Sequence, residues 1–330
     1  MTTLLNEVSQ STDAQLANAA VVEVLLATYN GERFLPDLLD SLLRQTFGAW
    51  VLLARDDGSD DGTVEILRRW GEANFGRLRV LENNGGSLGA AGNFSRLLAA
   101  STAPIVAFCD QDDVWIEDRL AHAVAAIRDV ERSVGIEHPV LVHSDLEVVD
   151  ADLRVISPSL WRMQRTPRAS VDPVRLAIRN TVTGCASTMN RALVDLANPV
   201  PPAAAMHDWW CALVASSFGT TVTLDTATVR YRQHGANEVG ATNRSLRNAL
   251  KKAARFLDRK DLRAGMAISG VQATAFLDRF GSRLDPLSHA RLQALATLSM
   301  CGPLRRRSRI LRYRLFSGSV LDAAGLLVRI

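Results

Sequence analysis

The sequence predicts an α/β fold, a mostly parallel sheet flanked by helices, with a basic helical region at its C-terminal end. Three observations carry this. Over the first 150 residues, short apolar runs of strand length alternate with segments of helical periodicity, the pattern of a parallel sheet covered on both faces. Glycines and carboxylates follow directly after the strands, at the carboxyl edge where open α/β sheets bind ligands. The charge is also divided. Residues 1–243 hold 20 Lys/Arg against 30 Asp/Glu, and residues 244–330 hold 18 against 5, so balances of −10 and +13 lie behind the net +3. The expected organisation is a leader over 1–20, an α/β domain over 21–243 and a basic helical region over 244–330.

The elements follow in order. VVEVLLA at 21–27 is a β-branched apolar run with the length of a buried strand, and it ends in the polar turn TYNGERF. LPDLLDSLLRQT at 35–46 spaces its leucines for one helix face and carries Pro36 in the first turn, where proline is tolerated. AWVLLARD is a second strand, DDGSDDGT a turn, and VEILRRWGEA at 64–73 a helix. LRVLEN at 78–83 is a third strand, NNGGSLGAAG a glycine-rich loop, and NFSRLLAAS at 93–101 a helix. PIVAFCD at 104–110 is a fourth strand and DRLAHAVAAIRDVER at 118–132 a helix. PVLVHSDLEVVD is a further strand and turn, 151–243 mixes short elements with polar loops, and 244–330 is helical.

Composition narrows the function classes. The chain is 47% hydrophobic and 22% charged, which fits a globular protein and excludes a disordered chain or a fibre. Its 4 cysteines have neither CxxC nor CxxH spacing, so a disulfide scaffold and a structural zinc site are not expected. They read as small core residues of a reducing compartment. No apolar run is long enough for a transmembrane helix, and the N-terminus lacks the basic and apolar regions of a signal peptide. A cytoplasmic location is the expectation.

Six motifs can carry chemistry. In FCDQDDVW, Asp110, Asp112 and Asp113 follow an apolar strand within four residues. Like charges so close repel unless a cation or solvent offsets them, and oxygen ligands suit Mg²⁺ or Mn²⁺. The plainer alternative is a solvated turn or helix cap. In RDDGSDDGT, Asp60 or Asp61 can cap the following helix, while Asp57 can accept a hydrogen bond from a nucleobase ring N–H. In LATYNGERF, small residues leave room for a flat ring beside Tyr29, although Asn30-Gly31 also makes an ordinary turn. NNGGSLGAAGNF is neither GxxxxGK[ST] nor GxGxxG, so it reads as a loop packed under a nucleotide site. In MHDWWCALVASSFG, Asp208 opens a helix beside Trp209 and Trp210. It is either a dipole-favoured acid or a general base next to sugar-stacking rings. In VRYRQHGANEVG, Arg230, Arg232 and His234 could meet phosphates or a metal.

Taken in order, ATYNG, DDGSDDGT, GNF, CDQDDVW, HDWW and YRQHG resemble the family 2 glycosyltransferases of GT-A, Rossmann-like fold, most of all their bacterial rhamnosyltransferase-like branch. The resemblance covers about 21–240. It implies inverting transfer from a nucleotide-diphosphate sugar, with dTDP-L-rhamnose the favoured donor, to a glycan or lipid-linked acceptor in cell-surface polysaccharide synthesis. It places Ala27, Thr28 and Tyr29 at the nucleoside and Asp57 on the base. Asp112 and Asp113 match the DxD-type pair at ribose and metal, and Asp110 is the leading acid. Asp208 matches the catalytic base. His234 matches a histidine near metal and pyrophosphate, and Arg232, from the same motif, is also expected on the donor. Gly184 and Cys185, in NTVTGCAS, fall in the acceptor-side segment, and Trp209 and Trp210 are also placed on that side. The implied cofactor is a divalent Mg or Mn cation.

Two rivals are weaker. A sugar-1-phosphate nucleotidyltransferase normally carries Arg and Lys in a glycine-rich loop after its first strand, where this chain reads TYNGERF. A glycan-binding module without turnover would not need Asp208 and the paired acids. RNALKKAARFLDRK at 247–260 and RRRSRILRYRLF at 305–316 set Arg/Lys beside apolar residues, which suits either a peripheral membrane contact or a solvated cap on the domain. Homo-oligomerisation through these helices is a further outcome. No nucleic-acid partner is expected, because no RRM, KH or zinc-finger pattern accompanies the basic tail.

Overall fold

The computed structural model describes residues 21–164, 172–234 and 259–316. The predicted leader, the segment 247–258 and the proposed boundary at 243/244 lie outside the described residues. Strands β1 (Val22–Thr28), β2 (Trp50–Asp56), β3 (Leu78–Leu81) and β4 (Ile105–Asp110) alternate with helices α1 (Leu35–Leu43), α2 (Thr63–Ala73) and α3 (Gly89–Ala100). They pair in parallel in the order β3-β2-β1-β4, so every strand ends on one edge. β1 and β4 are mostly apolar because helices cover both of their faces, and the one acid within β1, Glu23, is buried and paired with Arg79.

Beyond β4 the chain continues as β5 (Val114–Trp115), α4 (Arg119–Val134), β6 (Val140–Val149), β7 (Val155–Ser157), α5 (Leu160–Gln164) and α6 (Pro173–Ile178). A 3₁₀ turn, Gly184–Ala186, leads into β8 (Ser187–Asn190), α7 (Arg191–Ala197), α8 (His207–Phe218) and β9 (Thr220–Arg232). β8 runs antiparallel to both β4 and β6, and β9 lies parallel to β6. The sheet is therefore parallel in its first half and mixed in its second. β9 closes antiparallel on β5, with Arg230 opposite Val114. This pairing brings the end of β9 beside the CDQDD turn.

The helical C-terminal part is present as α9 (Arg259–Phe280), α10 (Pro286–Ala296) and α11 (Pro303–Tyr313). It shares one apolar core with the sheet. Phe276 and Phe280 pack against Trp210, at ring separations of 5.6 and 6.1 Å, and against Phe218. No helix among the described residues is long and apolar enough to cross a membrane.

Two boundaries depart from the sequence reading for local reasons. Helix α1 stops at Leu43, not Thr46, because the chain turns onto the segment before α4. There Gln45 Nε2 donates to Ile116 O at 2.8 Å and Thr46 N to Glu117 O at 2.8 Å. Helix α3 starts at Gly89, four residues early. Its first N–H groups are satisfied by a carboxylate from the turn after β2: Leu88 N and Gly89 N both donate to Asp57.

Candidate active site

The strand ends at the carboxyl edge assemble the site. At the end of β1, Ala27 is half-buried and Thr28 buried. The Thr28 hydroxyl donates to Asp56 Oδ1 at 2.9 Å. Tyr29 is 56% exposed, and its backbone exchanges two hydrogen bonds with the Gln111 side chain, N to Oε1 at 2.9 Å and O from Nε2 at 2.8 Å. Gln111 thus ties the β1 loop to the acidic turn. Asn30 sits in the left-handed region, and a Cβ on Gly31 would lie 2.3 Å from Gln111 Oε1.

Asp57 is buried. Its two oxygens accept hydrogen bonds from Arg55 Nη1, Ser87 Oγ, Leu88 N and Gly89 N, all at 2.8 to 2.9 Å. Burial alone would raise its carboxyl, but these bonds outweigh it and hold the group below its ordinary value. Arg55 itself is buried and reaches Asn93 Oδ1 and Asn83 Oδ1. Sequence reasoning singled out Asp57 and missed that Arg55 and the glycine-rich loop fasten it. Any base donor meets a carboxylate already engaged by protein.

Asp110, Asp112 and Asp113 gather at the end of β4. Asp113 is fully buried. Its Oδ1 accepts Arg232 N–H at 3.0 Å, and its Oδ2 has no hydrogen-bond partner among the described residues. Burial, then the charges of Asp112 and Asp110, raise its carboxyl well above the ordinary range. Contacts to the Cys185 thiol and Arg232 N–H oppose this and lose. A ligand atom of each of Asp110, Asp113 and Cys185 lies within 4.8 Å of the others. His234 Nε2 lies 2.8 Å from Asp112 Oδ2, and its ring rests on Phe34 at 4.5 Å. A buried carboxylate oxygen without a donor, among three acids and beside a histidine, fits a divalent cation. Asp113 and Asp110 would hold it, beside Cys185, with Asp112 and His234 paired next to them.

Arg232, which the sequence motif put on the donor phosphates or the metal, is buried. Nε donates to Asp112 O at 2.8 Å, Nη1 to Ala151 O at 2.6 Å and Nη2 to Asp37 Oδ2 at 2.8 Å. In this geometry it braces the acidic turn from behind. Arg119, which the sequence reading did not select, plays a matching part. Its Nη2 donates to Cys185 O at 2.7 Å and Phe108 O at 3.2 Å, and its guanidinium lies 3.8 Å over Trp115. It sets a buried positive charge under the acids.

The 3₁₀ turn and α8 build the part of the site expected to face the acceptor. Gly184 packs on Asp208 so closely that a Cβ would lie 3.1 Å from Asp208 Cβ. Asp208 is half-buried in the first turn of α8. Trp209 N donates to its Oδ1 at 2.6 Å and Asn180 Nδ2 to its Oδ2 at 3.2 Å. Burial pushes its carboxyl up to about 6, against the lowering effect of the hydrogen bonds from Trp209, Gly184 and Asn180. Trp209 is half-buried, with its indole N–H on Leu176 O at 2.6 Å. Trp210 is not at an acceptor surface. It lies fully in the core, donating to Ala197 O at 3.0 Å, because position 210 falls on the face of α8 that meets α9. Its neighbour His207 is buried between Phe94 and Phe108, and burial lowers its pKa to about 3.

Residues 23–147 match the sequence model of Glycosyl transferase family 2. Over 279 residues the chain is 25% identical to an uncharacterized glycosyltransferase, alr2836, of Nostoc sp., covering 80% of this chain and 78% of that one. It is 34% identical over 101 residues to the UDP-Glc:alpha-D-GlcNAc-diphosphoundecaprenol beta-1,3-glucosyltransferase WfgD of Escherichia coli, covering 30% of this chain and 38% of that one. It is 29% identical over 102 residues to the dTDP-rhamnosyl transferase RfbG of Shigella flexneri, covering 30% and 35%. The fold is similar to that of residues 1–349 of Staphylococcus aureus TarS in complex with UDP-GlcNAc, at TM-score 0.57 and 17% identity over 88% of this chain and 72% of that one. With the acids, the capped carboxylate and the sheet on one edge, these likenesses make the chain a glycosyltransferase of GT-A fold, of which residues 23–147 match the family 2 model.

Proposed function

We propose that the protein is an inverting glycosyltransferase that moves a sugar from a nucleoside-diphosphate donor to a hydroxyl of a glycan or lipid-linked oligosaccharide in cell-surface polysaccharide synthesis. The observation that carries this is one short segment, Gly184–Cys185. On one side Cys185 meets Asp110 and Asp113, and on the other Gly184 packs against Asp208. A cation-type acid cluster and a carboxylate with a pKa of about 6 are thereby held across a single turn.

The chemistry follows from that arrangement. The end of β1 with Thr28 and Tyr29 would take the nucleoside, with Asp57 on the base side. A bound Mg²⁺ or Mn²⁺ would neutralise charge on the departing diphosphate. Asp208 takes the proton of the acceptor hydroxyl as that oxygen attacks the anomeric carbon from the face opposite the leaving group. One displacement through an oxocarbenium-like transition state inverts the configuration. A carboxylate titrating near 6 is mostly ionised at neutral pH and is more basic than an ordinary aspartate. The favoured donor is dTDP-L-rhamnose, supported by the motif resemblance and by RfbG. The name of WfgD makes UDP-glucose the competing choice.

The test is turnover of dTDP-rhamnose, UDP-glucose and GDP-mannose with Mn²⁺, read by released nucleoside diphosphate and by NMR of the product anomer. Inverted product from one donor, absent in Asp208→Asn, is expected. Retained configuration, or full activity in Asp208→Asn, contradicts the proposal.

A further inference from the structure

Helix α11 is anchored on one face and exposed on the other. Ile310 is fully buried in the core, Leu315 nearly so, and Arg291 Nε donates to Tyr313 O at 3.0 Å. Arg306 Nη2 donates to Cys301 O at 2.7 Å, and Arg309 Nη1 reaches Thr297 Oγ1 at 2.5 Å. These contacts fix the helix and use its inner arginines. At 100° per residue, Leu304, Ser308 and Leu311 fall in one row on the opposite side. Leu304 is 80% exposed and Leu311 57%, and Met300, just before the helix, is 84% exposed. Arg305 and Arg312 line one side of that row and are exposed. Residues 303–316 hold six arginines and no acid, while residues 1–243 carry a balance of −10.

An apolar ridge bordered by cations, on a helix too short and too charged to span a bilayer, is the pattern of an interfacial helix. Charge complementarity selects the surface. Leu304 and Leu311 gain from entering acyl chains, and Arg305 and Arg312 from anionic headgroups. A nucleic acid would use the arginines and leave the leucines in water. The helix is also coupled to the acceptor side. Arg291, which holds its C-terminal end, pairs with Asp172 at 2.9 Å, and Asp172 caps α6, the helix that precedes Asn180 and Asp208.

We propose that the outer face of α11, Leu304 and Leu311 with Arg305 and Arg312, docks the protein on an anionic phospholipid bilayer. The inference does not depend on the identity of the donor or on turnover.

The test is co-flotation of the full chain, without substrate, with vesicles of phosphatidylcholine alone or with phosphatidylglycerol added. Binding to the anionic vesicles only, weakening with salt, is expected. Arg305→Gln with Arg312→Gln should lower partitioning about twenty-five-fold, at roughly fivefold per charge. Leu304→Ser with Leu311→Ser should lower it at least tenfold even at low salt. Both double variants should keep the wild-type thermal midpoint, because neither pair is buried. Absence of flotation, equal flotation of the variants, or binding of duplex DNA in place of vesicles overturns the proposal. So does vesicle binding gained only after truncation at Phe316, which would mean that the chain's own C-terminal residues cover this face.

Discussion

Replacing Asn180 with alanine should move the acidic limb of the pH–rate profile upward by about one unit. Asn180 Nδ2 donates to Asp208 Oδ2 at 3.2 Å, and that bond favours the ionised carboxylate. A hydrogen bond to a charged group contributes ~1.5–3 kcal/mol, and its length puts this one at the lower end. One pKa unit corresponds to about 1.4 kcal/mol, so the carboxyl should rise from about 6 to about 7. If Asp208 is the base, kcat/KM falls with unit slope below that value, because the protonated acid cannot accept the acceptor's proton. The assay is kcat/KM from pH 5 to pH 9 at saturating Mn²⁺. The measured fall at pH 6 should deepen several-fold in the variant, while rates above pH 8 stay near wild type. An acidic limb that stays near 6 in Asn180→Ala would falsify the assignment of that limb to Asp208.

Three further outcomes follow from the same geometry. Asp208→Asn should abolish transfer yet stabilise the fold at pH 8. The folded carboxyl titrates above its ordinary value, so ionisation costs nothing below about pH 4, the cost grows from there to about pH 6, and above that it stays level at up to ~3 kcal/mol, less for partial exposure; equal or lower stability by urea unfolding at pH 8 would contradict this. Gly31→Ala should displace the Gln111 side chain that a Cβ would meet at 2.3 Å, raising donor KM while the thermal midpoint moves little; an unchanged KM would separate the Tyr29 loop from donor binding. Gly219→Ala should destabilise by about 2–4 kcal/mol, because its Cβ would lie 2.1 Å from the backbone oxygen of Pro139, and a neutral result by thermal unfolding would show that this junction between α8 and β9 can yield.

The first half of the fold is legible because β1, β2 and β4 are buried on both faces, so apolar runs and their terminating turns mark them directly. Asp110, Asp112, Asp113 and Asp208 stand out for the same reason: acids next to apolar runs are conspicuous. What the sequence hid are long-range partners. Asp57 is bound by Leu88 and Gly89, some thirty residues later, and that capping also starts α3 early. Arg119 looks like an ordinary first-turn helix residue, yet it spans from Phe108 to Cys185. Trp209 and Trp210 are adjacent letters on opposite environments. The hydrogen bond of Trp209 to Leu176 and the packing of Trp210 on Phe276 depend on α6 and α9, which local periodicity does not place.

The most direct test of the account is calorimetric binding of dTDP-, UDP- and GDP-sugars with and without Mn²⁺, in the wild type, Asp208→Asn and Asp113→Ala. Binding of one donor that requires Mn²⁺, persists in Asp208→Asn and disappears in Asp113→Ala is the predicted result. Donor binding that ignores both Mn²⁺ and Asp113, or no donor binding by the folded protein, would contradict the assignment of the acid cluster to the diphosphate and of Asp208 to the acceptor.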